Sequence, residues 1–173
     1  MNLKIGLDLD QVIFDFINPY INRFGLPKND YEITKNVQRI LKNDRNFWLN
    51  QPLINRPNFD VTLYCTKRVH NKNWTKKQLE IHNLPKAPVY QVYLQSANKA
   101  DKIKGRVDVF IDDSIYNMIQ MNLAGVPCLL FDSEENQSWG PIGRVYSLDY
   151  NHIVETYKLF MENSFNNFKN LLK

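Results

Sequence analysis

Apolar positions along the chain gather into short runs that stop abruptly at polar groups, and the runs alternate with stretches of helical periodicity. Residues 3–9 form the first run, and its end in Asp8 and Asp10 suits a central strand that opens on a site. Residues 12–16 continue it as a loop or short turn. From 18 to 57 the chain turns polar, with Ile33, Val37, Ile40 and Leu41 at helical spacing and Pro19, Pro27, Pro52 and Pro57 as breaks, which predicts a small helical insertion. A second strand is expected over 59–65, a helix over 74–83 stopped by Leu84-Pro85, a third strand over 89–94 and a fourth over 107–111. Ser114 is placed to cap a helix that runs to Leu123 and ends at Gly125. A fifth strand follows over 126–131, and 151–173 reads as a closing amphipathic helix with Ile153, Tyr157, Phe160 and Met161 on its apolar side.

Strands alternating with helices predict an α/β layered fold around a mainly parallel sheet, and in such sheets ligands bind beyond the carboxyl ends of the strands. The reactive side chains fall there. Asp8 and Asp10 follow the first strand, Thr66 and Arg68 the second, Lys99 the third after a few residues, and Asp112 with Asp113 the fourth.

At 173 residues and 20.5 kDa the chain has the size of one domain with room for a modest insertion. Hydrophobic residues at 43% and charged residues at 23% exclude wholesale disorder, a collagen-like repeat and a coiled coil. A net charge of +4 and a pI near 9.0 favour an anionic partner such as a phosphorylated metabolite or nucleic acid, although interleaved bases and acids describe a solvated surface as well. Cys65 and Cys128 lie inside apolar runs, as buried free thiols in a reducing compartment do. No secretory leader and no membrane-spanning run is visible, so a cytoplasmic location is expected.

Alternation along a strand puts Asp8 and Asp10 on one side, where close carboxylates repel until a divalent cation or a proton relieves them. With Asp112 and Asp113 they supply hard oxygen donors from separate strand ends, a set that suits Mg²⁺ rather than zinc. His70, His82 and His152 share no close ligand spacing with one another or with cysteine. Phosphoryl transfer needs an aligned nucleophile, a metal and donors for the equatorial oxygens. Asp8 can attack phosphorus to form an aspartyl-phosphate, and Asp10 can protonate the leaving oxygen and later take a proton from water. Thr66 can donate its hydroxyl to a phosphate oxygen. Lys99, beside Ser96, Ala97 and Asn98, can hold phosphate and nucleophile together, with Lys102 and Lys104 as competitors for that role. Phe14, Phe16, Tyr20, Phe24, Phe47 and Trp48 offer faces for a stacked base or for packing. Lys67, Arg68, Lys72, Lys76 and Lys77 suit either a nucleic-acid backbone or a polar helix surface.

In order, Asp8-Leu9-Asp10 with Val12, Thr66 after Leu63-Tyr64-Cys65, Lys99, and Ile111-Asp112-Asp113-Ser114 resemble the four motifs of the haloacid dehalogenase superfamily of phosphohydrolases. Within it, residues 8–16, Phe47-Trp48 before Pro52-Leu53, and the stretch from Gly125 to Asn136 are similar to the 5′(3′)-deoxyribonucleotidases. The resemblance implies a Rossmann-like three-layer core built from 1–17 and 58–173, a small helical cap over 18–57, Mg²⁺ dependence and Asp8 as nucleophile. It also implies that Asp113 ligates the metal with Asp8 and the Asp10 backbone carbonyl, while Asp112 supports it from the outer shell. Gln11 stands where the superfamily usually has glycine, and Arg68 is shared with several branches, polynucleotide phosphatases among them. The implied activity is a Mg²⁺-dependent phosphomonoesterase acting on nucleoside monophosphates, with Thr66 and Arg68 on the substrate. Two alternatives stand beside it: removal of a terminal phosphate from DNA or RNA, and a receiver-like phosphate-binding module, which the order of the acidic pairs disfavours.

Overall fold

In the computed structural model, which describes residues 2–93 and 97–165, six short strands form one sheet. They are β1 (Ile5–Leu7), β2 (Leu63–Thr66), β3 (Val89–Gln91), β4 (Val109–Asp112), β5 (Cys128–Phe131) and β6 (Arg144–Val145). Every pairing is parallel, and the order across the sheet is 3-2-1-4-5-6, that of a doubly wound, Rossmann-like sheet. The chain winds from β1 to one edge, returns to β4 beside β1, and winds to the other edge. That reversal opens a crevice beyond the carboxyl ends of β1 and β4.

Side-chain alternation explains why the strands read as unbroken apolar runs. Tyr64, Ile111 and Leu129 join one cluster with Leu79 of α4 (Lys72–Ile81) and Ile153 and Phe160 of α7 (Tyr150–Phe160). Cys65, Phe110 and Leu130 join another with Ile103 of α5 (Ala100–Ile103) and Met118 and Met121 of α6 (Ile115–Leu123). Both faces of the sheet are therefore covered by helices, in three layers.

Between β1 and β2 lie α1 (Ile17–Phe24), α2 (Asp30–Arg39) and α3 (Arg45–Leu49), the last two capped by the side chains of Asn29 and Asp44. These helices close on their own cluster of Phe16, Tyr20, Leu41 and Trp48, against which Ile33, Val37 and Trp74 of α4 pack. Ile40 departs from the expected apolar stripe and is exposed. No helix is long and apolar enough to cross a membrane. Cys65 and Cys128 are buried free thiols.

The strands are shorter than the runs that predict them, because burial continues past the ladder. Leu9, Val12, Ile13 and Phe14 are fully enclosed although none belongs to a strand. β6, two residues long, is too short to carry a period. The closing helix ends at Phe160 and passes into a π-turn over Met161–Phe165. The rest of that expected helix, 166–173, lies outside the described residues, as do Leu94 of the third run and Ser96 near Lys99.

Gly6 sits at the centre of the sheet, in register with Leu63 on one side and Phe110 on the other. A Cβ there would lie 2.7 Å from Phe110 Cδ2, 3.0 Å from Val107 Cγ1 and 3.1 Å from Leu63 Cδ1. Gly6→Ala is expected to lower stability by about 1–3 kcal/mol, the usual cost of overpacking a core. Denaturant unfolding checks this, and an unchanged midpoint would mean that the three neighbours yield freely.

Candidate active site

The chain leaves β1 through a tight reversal in which Ile13 N and Phe14 N donate to Leu9 O and Gln11 N donates to Phe14 O. Gln11 takes the left-handed conformation there, with φ 59°, a region that glycine enters freely and a side chain does not. Its side chain offsets the strain: Gln11 Oε1 accepts from Phe16 N at 2.8 Å and Ile17 N at 3.3 Å, satisfying the start of α1, which has no capping side chain of its own.

Asp8 and Asp10 go to separate partners. Lys99, 1% exposed, sets its Nζ 2.7 Å from Asp8 Oδ2 and 2.7 Å from Asp112 Oδ2. Asp112 Oδ1 accepts from Ser114 N and Asn117 Nδ2, each at 3.0 Å, so both of its oxygens are engaged. Asp8 Oδ1 and the Thr66 hydroxyl at the end of β2 are buried without a hydrogen-bond partner. Of the three lysines expected to compete here, Lys99 lines the cleft, whereas Lys102 is exposed and Lys104 Nζ donates to Ala124 O.

Burial strips water from all of these groups and dominates their ionisation. It pushes the Asp8 carboxyl up; Lys99 pulls it back, Asp112 and Asp10 add repulsion, and the result is about 7. Asp113 is held well above the usual carboxylate range by burial first and by Asp112 and Asp8 next. For Lys99 burial favours the neutral amine, yet Asp112 and Asp8 outweigh it and raise the ammonium above its ordinary value. Asp8, Asp112 and Asp113 each offer an oxygen within 4.8 Å of the others. One ammonium does not balance three carboxylates at that spacing, and the hard donors fit a divalent cation. Since Asp112 is committed to Lys99, Ser114 and Asn117, Asp8 and Asp113 are the residues left to hold such an ion.

Asp10 contributes no carboxylate to that triad. Arg68 grips it instead, with Nε 2.9 Å from Oδ2 and Nη2 2.7 Å from Oδ1. The expected mutual repulsion of Asp8 and Asp10 is thus relieved by two cations in two places. Arg68, expected on the substrate, has no exposed side-chain surface and does not line the cleft, because its donors are taken up by Asp10, Gln51 and Gln78.

A cleft of about 590 Å³ lies over the strand ends, lined by Asp8, Asp10, Thr66, Lys67, Lys99 and Asp113, with Ile17, Ile33 and Thr34 from the helical insertion. An apolar pocket of about 190 Å³ adjoins it, walled by Phe16, Ile33, Val37, Trp48, Val69 and Tyr93; Asp10 and Lys67 border both. Of the other basic residues after β2, Lys76 and Lys77 are exposed on α4, and Lys72 lies over the Tyr90 ring at 5.9 Å.

Several residues of the site carried no signal in the sequence. Gln51 and Gln78 stand 27 positions apart with no shared pattern, yet meet at 3.0 Å. Asn136 Nδ2 donates to Asp113 O and Phe131 O, and Arg144 holds Asn136 Oδ1 in turn, so the loop after β5 fixes the backbone of Asp113. Asn117, one helical turn beyond the Ser114 cap, was the one within reach of spacing. Comparison of the chain with protein-family models, curated proteins and solved structures finds no match.

Without metal, the raised Asp8 carboxyl favours the folded chain below its ordinary value of 3.8, and that advantage is lost as pH rises through about 7. A divalent cation must displace these protons, so its stabilisation grows over the same interval. Mg²⁺ about 100-fold above its Kd is expected to raise Tm by about 5–10 °C near pH 8 and by much less near pH 5, with the gain lost in Asp113→Asn. Thermal melts test this, and an equal shift at both pH values, or none, would overturn the assignment.

Proposed function

We propose that the protein is a Mg²⁺-dependent phosphomonoesterase of the haloacid dehalogenase kind, working through an aspartyl-phosphate on nucleoside monophosphates. The observation that carries this reading is the pairing of two buried, unpartnered oxygens, Asp8 Oδ1 and Thr66 Oγ1, on residues that line one cleft with Lys99 and Asp113. A nucleophile, a hydroxyl donor, an ammonium and metal-ligating carboxylates at a single opening are the parts that phosphoryl transfer needs.

In this mechanism Lys99 ties Asp8 Oδ2 in place and supports its ionised form, and Asp8 attacks phosphorus. The bond from phosphorus to the leaving oxygen breaks, and Asp10 gives that oxygen a proton. Water then attacks the aspartyl-phosphate as Asp10 takes its proton back. The bond from Asp8 to phosphorus breaks, releasing phosphate and restoring the carboxylate. Lys99 and the Thr66 hydroxyl donate to phosphate oxygens throughout. Asp8 and Asp113 would hold a Mg²⁺ ion, and such an ion would supply positive charge against the phosphate oxygens.

The leaving group would lie toward the apolar pocket beyond Asp10, whose walls include Phe16, Ile33, Val37 and Tyr93. A second reading, a terminal phosphate on DNA or RNA, draws on Tyr93 and Tyr116, which stand exposed at the cavity walls near Lys67.

Asp8→Asn is expected to cut magnesium-dependent phosphate release by about 10⁴-fold or more while leaving the circular dichroism spectrum unchanged. Retained turnover in that variant would remove Asp8 as nucleophile. A mononucleotide is expected to be hydrolysed with little salt dependence, whereas a steep loss of rate with salt on a phosphorylated oligonucleotide, together with preference for it, would favour the second reading.

A further inference from the structure

Arg68 is a guanidinium placed where water cannot reach it, and that placement needs a reason. Four of its hydrogen bonds are made to side chains: two to Asp10, one from Nη1 to Gln78 Oε1 at 2.6 Å, and one from Nη2 to Gln51 Oε1 at 2.9 Å. Its plane lies against Trp48 and Phe14, with Cζ 5.1 and 5.7 Å from the ring centroids. Gln91 Nε2 fixes its backbone by donating to Arg68 O. Asp10 is the one carboxylate paired with it among the described residues. A cation held from every side and spent on one acid acts through that acid.

We propose that Arg68 is a positioning residue that aims Asp10 at the leaving-group oxygen, with Gln51 and Gln78 fixing the guanidinium. This rests on the phosphoryl-transfer reading above and assigns within it a role that contact with substrate does not explain. The two-pronged clasp occupies one lone pair on each Asp10 oxygen and leaves the carboxyl group able to present a proton toward the cleft and the apolar pocket, both of which Asp10 lines. Lysine, a point charge on a flexible stem, keeps the charge and loses the fork.

The test compares two esters. A nucleoside 5′-monophosphate leaves as an alkoxide and needs the proton; 4-nitrophenyl phosphate leaves as a stabilised phenolate and needs it little. In kcat/KM, which ends with departure of the leaving group, Arg68→Lys is expected to lose about 10²-fold or more on the nucleotide and only a few-fold on the aryl ester. Gln78→Met, a milder change, is expected to show the same split at smaller size, and it stands in if the lysine variant does not fold. Added to Asp10→Asn, Arg68→Lys should cost little more, since both act on one step. Equal losses on the two esters would overturn the proposal by showing a merely structural role, and a matching rise in KM on both would return Arg68 to the substrate. Asp8→Asn, run in parallel, reports on the underlying reading: turnover surviving in it sinks phosphoryl transfer through Asp8, whatever Arg68 does.

Discussion

A single buried ammonium holds the ends of the two central strands together. Lys99 Nζ stands 2.7 Å from Asp8, which follows β1, and 2.7 Å from Asp112, which closes β4. These are the strands between which the winding of the sheet reverses, so the crevice left by topology is the place where the charges collect. Loss of one acid leaves the ammonium the other, whereas loss of Lys99 would leave Asp8 and Asp112 facing each other at a largely buried site. The arrangement remains short of positive charge, since Asp113 adds a third carboxylate within 4.8 Å of the other two. Burial first, and repulsion among the acids next, raise the Asp8 and Asp113 carboxyls, while, against burial, Asp112 and Asp8 raise the Lys99 ammonium.

Two cations divide the first acidic pair between them, and in the proposed reaction that division would separate two chemical tasks. Lys99 faces two acids with a third close by, a set of donors that would fit a divalent ion. Arg68 faces one acid and balances it, as a site that orients a carboxyl group must be. The reversal after β1 makes this possible by turning the chain between Asp8 and Asp10 and the start of α1. Gln11 accepts the left-handed backbone that the turn demands and recovers part of the cost by capping α1 with the same side chain.

Layered α/β architecture was legible in the sequence because strands buried on both faces leave apolar runs, and the first, second and fourth runs stop at polar groups that line the cleft. Asp8, Thr66 and Asp113, at or just beyond strand ends, and Lys99, in the segment after β3, were singled out in this way, and all four line the cleft. Arg68 stands at the expected edge, but its side chain is engaged by Asp10, Gln51 and Gln78 and does not line the cleft. Which way a side chain turns beyond a strand depends on long-range partners, and Gln51 and Gln78 come from segments whose polar residues look like ordinary surface. β6 and the Asn136 bracket on Asp113 escaped for the same reason: two residues carry no period, and an asparagine in a loop announces a turn before it announces a brace.

The site also shows a division of labour along the chain. Every group assigned to the phosphate comes from the sheet's carboxyl edge, whereas Ile33, Val37 and Trp48 of the apolar pocket come from the helical insertion between β1 and β2. Changes in α2 or α3 would therefore reshape the space for the leaving group without moving Asp8, Lys99 or Asp113. One coupling runs against that independence. Trp48 and Gln51, at the end of α3 and just beyond it, contact the guanidinium that clasps Asp10, so the element that shapes the pocket also touches the partner of the residue that would deliver the proton. In the proposed reaction, selectivity for the leaving group and its protonation would thus share side chains, and a substitution at either of these two positions would alter both together.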